Sequence, residues 1–429
     1  MSKPVKYLIG IVVSLFFVWY IASIIINAAT TKEIDYLQMW TGGGDQGAFW
    51  KKAIKKWNES GKGMRVKSKR IPVAQSSEEA ILNSIAGQTS PDICTGIFPG
   101  FGAQLASLGA ISSLNEFESY NELVHHRKME KIMKGWEYES KNYVFPLFSC
   151  PVLYWWRGDI MEELGWNKIP ETYSEVYEFC KLAYIPRKRY GIRIMRYNAW
   201  WGRWIDFISF YYAASGGKPY VVDNKAVLDN KYGREVMEFF KKLYDNNYSS
   251  KIIFSDPGFF EGTILGSPRE PQDLTYAKQQ FPKILDKIKI GPVPVPDNHK
   301  GEVITLSDTK GLVIFKDSKY KEEAWKFLEW FFLQDDLSRE WMELTTMPPA
   351  RGDLLTNPVF TSYFKENEKV AEYAKYVSNA VPAIPLTRTI DVQEAMTDDL
   401  MQPIIYNTQT VDEALKNTAK KINESLSEY

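Results

Sequence analysis

Apolar and polar positions change rhythm repeatedly along this chain, and each change marks an element. IDYLQMW, residues 34–40, alternates like a half-buried strand, whereas AFWKKAIKKW, residues 48–57, sets Phe49, Ala53, Ile54 and Trp57 on one helical face with lysines opposite. The TGGGDQG between them is a turn. The pattern then recurs. SSEEAILNSIAGQ opens on a capping box, Ser76 with Glu79; after Pro91 the run DICTGIF reads as a short buried strand, and Gly109 closes the next helix. KNYVFPLF and PVLYWW are extended segments, and IPETYSEVYEFCKLA begins with a second capping box, Thr172 with Glu175. Farther on, GPVPVP predicts a Pro-rich extended connection and GLVIF a strand, followed by an amphipathic helix through Ala324, Phe327, Leu328 and Phe331. Thr410 with Glu413 caps VDEALKNTAKKIN near the tail. Strands alternating with helices predict an α/β fold of mainly parallel sheets covered on both faces. Such sheets hold ligands at the carboxyl ends of their strands.

One stretch breaks the rhythm. YLIGIVVSLFFVWYIASIII, residues 7–26, carries no formal charge, and at about 1.5 Å per residue it matches the roughly 30 Å hydrocarbon thickness of a bilayer. Lys3 and Lys6 precede it, so the positive flank stays cytoplasmic and the folded part lies outside. The expectation is an N-terminal transmembrane helix within residues 1–30, left uncleaved. The alternative is a cleaved signal segment and a secreted or periplasmic protein, but the apolar run exceeds the usual length of about 7–15 residues.

Composition narrows the chemistry. A chain of 429 residues exceeds what one core organises, so more than one packed unit is expected. The 53 basic and 53 acidic side chains cancel, which removes the footprint nucleic-acid binding needs. Cys94, Cys150 and Cys180 form no CxxC pair, and His125, His126 and His299 are the only histidines. No metal and no cofactor is therefore expected, and the thiols read as small buried groups, with one disulfide left open. Gly42 and Gly47 have phosphate-loop spacing, yet Ala48 and Phe49 stand where Lys and Ser/Thr must touch phosphate and magnesium. These glycines instead let backbone and Asp45 approach a ligand closely. Aromatic residues make 14% of the chain, more than its core needs, so some are expected to face a cleft or partner.

The ordered set IAGQTSPDI, LASLGAISSLNEF, KNYVFPLF, LYWWRGDIMEELGW before IPETYSEV, ASGGK, IGPVPVP, and KYKEEAWKFLEWFF leading into MPPARGD resembles one family. It is that of the extracellular solute-binding proteins of carbohydrate-uptake ABC transporters, the maltose-binding-protein-like superfamily. The resemblance runs from Ile34 to Asn423. Two departures stand out: Phe259, Phe260 and Gly262 occupy the region of the family's glycine-lysine-alanine-methionine run, and the lipobox cysteine is absent. The resemblance implies a two-lobed periplasmic-binding-protein-like fold with hinge crossovers near 148–151, 305–309 and 346–349. The N-terminal lobe would comprise 33–148 and 309–346, and the C-terminal lobe 149–308 and 347–429. It further implies a binding protein rather than an enzyme, with a carbohydrate ligand, permease subunits as partners and hinge closure as the working motion.

A sugar pairs a C–H ring face, which packs on an aromatic, with a rim of hydroxyls that need polar partners. NAWWGRW, residues 198–204, offers both: Trp200 and Trp201 as platforms, Arg203 as a polar arm, with Trp200 and Trp204 on one face if the stretch is helical. One of these tryptophans is expected in the core. Trp40 with Asp45, Phe98 at the end of its strand, Asp308 beside a crossover and Arg388 in PLTRTID complete the candidate set. One of Trp155 and Trp156 must point into the sheet by alternation, so neither is named as a contact. Two rival functions remain open. A membrane-anchored carbohydrate-active enzyme would draw on carboxylates such as Glu162 and Glu163, which read as a solvated helix face. The same fold holding a polyamine, metal chelate or peptide is the other.

Overall fold

The computed structural model describes residues 35–427 apart from 73, 75, 195–199 and 252–256. The chain opens with β1 (Tyr36–Thr41), α1 (Gly44–Ser60), β2 (Arg65–Arg70), α2 (Ser77–Ala86), β3 (Ile93–Ile97) and α3 (Pro99–Ser107). Local chemistry sets these limits. Ser76 Oγ accepts from the Glu79 amide at 3.1 Å, and α1 stops at Gly61, whose φ of 65° is the left-handed region glycine enters without strain. After β4 (Phe145–Pro146) come β5 (Cys150–Pro151) and β6 (Leu153–Arg157). Next follow α4 (Tyr173–Ala183), α5 (Trp200–Ser215), α6 (Lys231–Asp245), β7 (Gly266–Arg269), α7 (Asp273–Gln280) and β8 (Ile288–Gly291). The chain returns through β9 (Thr305–Asp308) and β10 (Gly311–Ile314) into α8 (Lys321–Leu333) and α9 (Asp335–Thr345). It ends with α10 (Pro358–Glu366), α11 (Glu368–Ala374), β11 (Ala380–Val381), α12 (Thr389–Ala395) and α13 (Val411–Ser427).

Two sheets organise two lobes. The first has the order β2-β1-β3-β10-β4, with β1 parallel to both neighbours and β10 antiparallel to β3 and β4. The second has the order β7-β6-β8 and is antiparallel throughout, which corrects the expectation of a mainly parallel sheet in each lobe. β6 leads away from the crossover, and both flanking strands run back toward it. Buried strands read as continuous apolar runs whatever their direction, so periodicity carries no sign of this.

β6 also shows why alternation undercounts burial here. Trp155 and Trp156 are both fully buried, on opposite faces. Trp155 donates from Nε1 to the Tyr373 hydroxyl at 2.7 Å in the first core, while Trp156 meets Phe179 edge-on in the second. A strand covered on both sides has no outward face. Phe259 and Phe260, from the region where the resemblance lapses, lie in the same packing around Trp155.

The MPPARGD segment is held by buried charge. Arg351, 1% exposed at its side chain, reaches Asp353 at 2.5 Å and Asp335 at 2.6 Å, and Asn357 donates to both carboxylates. Arg127 donates to the Phe332 carbonyl at 2.6 Å. Burial, then the adjacent Arg351 charge, pushes its guanidinium down to about 9, so it stays protonated at neutral pH. From there α10 and α11 pack with Trp341 of α9 and with Trp155 beneath the second sheet. All three cysteines are buried free thiols, so the disulfide left open does not form. Among the described residues no helix is long and apolar enough to cross a membrane; the expected span at 7–26 lies outside them.

Candidate functional site in the cleft between the lobes

The floor of the cleft is where the chain passes between lobes. β5 pairs antiparallel with β9, Ser307 opposite Pro151 and Asp308 opposite Cys150, and β11 joins β9 on its other side. Phe148 bridges to Pro349, the Ser149 amide donates to the Pro348 carbonyl at 3.0 Å, and the Ser149 and Ser307 hydroxyls meet at 2.8 Å. Every pass between the lobes is thus bonded to a neighbouring pass.

Above this floor the lobes touch. A Cβ built on Gly100, at the start of α3, would lie 2.4 Å from the Thr389 Cβ, at the start of α12. Only glycine permits that approach. Both helices therefore present their amino ends to the gap, and neither Phe98 nor Arg388 makes a side-chain cap there.

The candidate residues sort around this geometry. Asp45 is exposed in the first turn of α1, at the carboxyl end of β1, and half-buried Phe98 precedes α3 at the carboxyl end of β3, stacked on Phe101 at 5.8 Å. Both occupy the strand ends where ligands of such sheets bind. Trp40 is 9% exposed and packs in the first core. Asp308 ends β9, half-buried against the crossover. Arg388 abuts Thr389 and pairs with Asp391 at 2.7 Å. Arg203 is buried, as is Asp206, and both act on the Tyr244 phenol, which burial and then Asp206 push up while Arg203 pulls it down. This places Arg203 inside the polar part of the second lobe. Trp204 enters the core of the second lobe. Trp200 and Trp201 open α5, but their side chains lie outside the described residues.

Sequence reasoning missed two carboxylates. Asp308 stands opposite Cys150 in the strand pair, and the Thr346 hydroxyl donates to the Pro271 carbonyl at 2.9 Å, which sets the Glu270–Asp273 segment against the third crossover. Burial raises the Cys150 thiol well above its ordinary value, with Asp308, Glu270 and Asp273 adding to it in that order. Glu270 is buried and its amide donates to Asp273 at 3.0 Å. Their signal, a charged EPQD run directly after β7, sits where the family pattern fails. Ser149 and Ser307 were equally silent. Glu162 and Glu163 are exposed, and Glu162 pairs with Lys289 at 3.0 Å far from this floor.

Two α/β lobes joined by paired crossovers, with an intervening cleft, are the periplasmic-binding-protein fold. Residues 41–336 match the model of the bacterial extracellular solute-binding proteins, and the chain belongs to that family. The uncharacterized protein lmo0859 of Listeria monocytogenes EGD-e is 30% identical, with a TM-score of 0.86 over 91% of this chain and 100% of its own. Two further structures bear on the fold alone. The cyclic alpha-maltosyl-1,6-maltose binding protein of Arthrobacter globiformis is 17% identical with a TM-score of 0.78, covering 92% of this chain and 100% of that one. The sugar-binding protein MalE of Xanthomonas citri has the same identity and TM-score, covering 92% and 98%.

Proposed function

We propose that this protein is the sugar-binding component of an ABC importer, holding a mono- or oligosaccharide between its lobes and passing it to a membrane permease. The observation that carries this reading is the mutual approach of α3 and α12 above a floor of paired crossovers, in a member of a solute-binding family. Two proteins of like fold are described by the sugars they bind. Carboxylates accept hydroxyl protons, and aromatic faces at the rim take the ring. Trp200, Trp201, Phe98, Asp45 and Asp308 are the residues proposed to meet the ligand, with Trp40, Arg203 and Arg388 supporting them.

Closure follows from differential affinity: a ligand touching both lobes favours the closed form, and no covalent step is required. The lobes are proposed as 33–148 with 309–346, and 149–308 with 347–429. Residues 7–26 are proposed to anchor the protein, with the folded part extracytoplasmic. Mass spectrometry of the ligand that co-purifies from the native host, followed by titration calorimetry with that compound, tests the reading. A saccharide binding with one-to-one stoichiometry is expected. A folded protein that binds no member of a broad saccharide panel overturns it.

A further inference from the structure

The chain is neutral overall, yet residues 61–75 hold Lys62, Arg65, Lys67, Lys69 and Arg70 and no acidic residue. All five are exposed, and none joins an ion pair among the described residues. Three of the four lysines of neighbouring α1 are answered: Lys52 and Lys56 meet Glu340, and Lys55 meets Glu59, which leaves exposed Lys51 to add to the same basic end. β2 is the edge of the first sheet, with Arg65, Lys67 and Lys69 in a row on one face. A basic edge discourages pairing with other chains. Its position goes beyond that need. β1 and β2 run parallel from Tyr36 opposite Arg65, and the Lys67 ammonium lies 3.5 Å over the Tyr36 ring, at the point where the chain enters the lobe. The apolar run ends at Ile26, so residues 27–36 supply at most about 36 Å of extended chain between it and this edge.

We propose that the β2 edge, with Lys62, is a docking surface for the anionic lipid headgroups of the membrane that holds the anchor. The proposal rests on the anchor reading above. A row of basic side chains tethered within that reach meets an anionic surface at high effective concentration, and each strengthens binding by about fivefold. The far end of the row marks the consequence. A Cβ on Gly43, just past the carboxyl end of β1 where the ligand is proposed to bind, would sit 3.1 Å from Arg70 Nε, so an edge lying on the bilayer holds that end of the lobe at the membrane surface, where the proposed permease would receive solute.

The test uses the full chain in phosphatidylcholine vesicles with or without about a quarter phosphatidylglycerol, footprinted by amine acetylation and mass spectrometry. Lys67 and Lys69 are expected to react several-fold more slowly in the anionic vesicles at about 0.05 M salt, and to recover at about 0.5 M, where screening shortens the field. Exposed Lys416 on the second lobe serves as the reference and is expected not to change. Equal reactivity of Lys67 and Lys69 in both vesicles overturns the proposal. Release of the protein by alkaline carbonate instead overturns the anchor. Docking is then read by co-sedimentation: binding to anionic vesicles weakened tenfold or more in K67Q/K69Q supports the surface, and binding indifferent to the substitutions or to lipid charge overturns it.

Discussion

Single residues carry the two most direct consequences of this structure. If Trp200 and Trp201 are the platforms of the cleft, replacing both by Ala weakens capture of the native saccharide at least tenfold, about 1.4 kcal/mol, in titration calorimetry. Unchanged affinity moves the platform to another aromatic. Arg351 serves stability. Arg351→Met strands Asp335 and Asp353 without their buried cation and is expected to cost about 3–5 kcal/mol, read by chemical denaturation. The same cluster sets an acid response. Burial works against ionisation of both carboxylates, but hydrogen bonds from Asn357 and Arg351 and the Arg351 charge outweigh it and hold both below the ordinary carboxylate range. Folded values depressed below the unfolded value of about 3.9 stabilise the protein fully above that pH. That stability is lost as pH falls through the folded values. Denaturation midpoints of the native chain are therefore expected to drop below about pH 4 more steeply than those of Arg351→Met.

At the scale of elements, the local signals that start helices work as the chain pattern implies. Thr172 Oγ1 accepts from the Glu175 amide at 3.3 Å, and the Glu175 carboxylate accepts from the Glu171 amide at 2.9 Å, one residue before the cap, so the start of α4 is tied from both sides. Thr172→Ala is expected to cost about 1 kcal/mol of unfolding free energy, with no change in ligand affinity, since α4 packs away from the floor. A loss of affinity from this change would mean that α4 positions the cleft. The strands were legible as elements but not as neighbours. β1 announces itself by alternation and β3 and β10 by apolar runs; that β10 lies antiparallel to β3 is settled by where the chain re-enters the first lobe after the crossover.

For the molecule as a whole, the glycine at the lobe contact makes closure testable. Gly100→Ala places a Cβ where Thr389 already stands, so if this contact belongs to the proposed closed form, that form is disfavoured while the separated lobes are untouched. Ligand affinity is expected to fall tenfold or more with the ligand-free melting temperature held, and Thr389→Gly in the same chain to restore it. A fall in stability matching the fall in affinity would assign Gly100 to packing within its own lobe.

The sequence by itself determined the strands and helices of the opening units, the three helix caps and the ordered motifs that mark the family, because these depend on neighbours close along the chain, and it marked the cysteines as buried by their apolar surroundings. Asp45 and Phe98 were also readable, since a residue just past a strand end has its place set by that strand. Only the tertiary structure decided that Arg203 is enclosed, that Trp155 and Trp156 serve two different cores, and that the Glu270–Asp273 segment meets the third crossover at Thr346. Those outcomes depend on which segments come together across the crossover, and residues far apart in the chain carry no local mark of the partner they will meet.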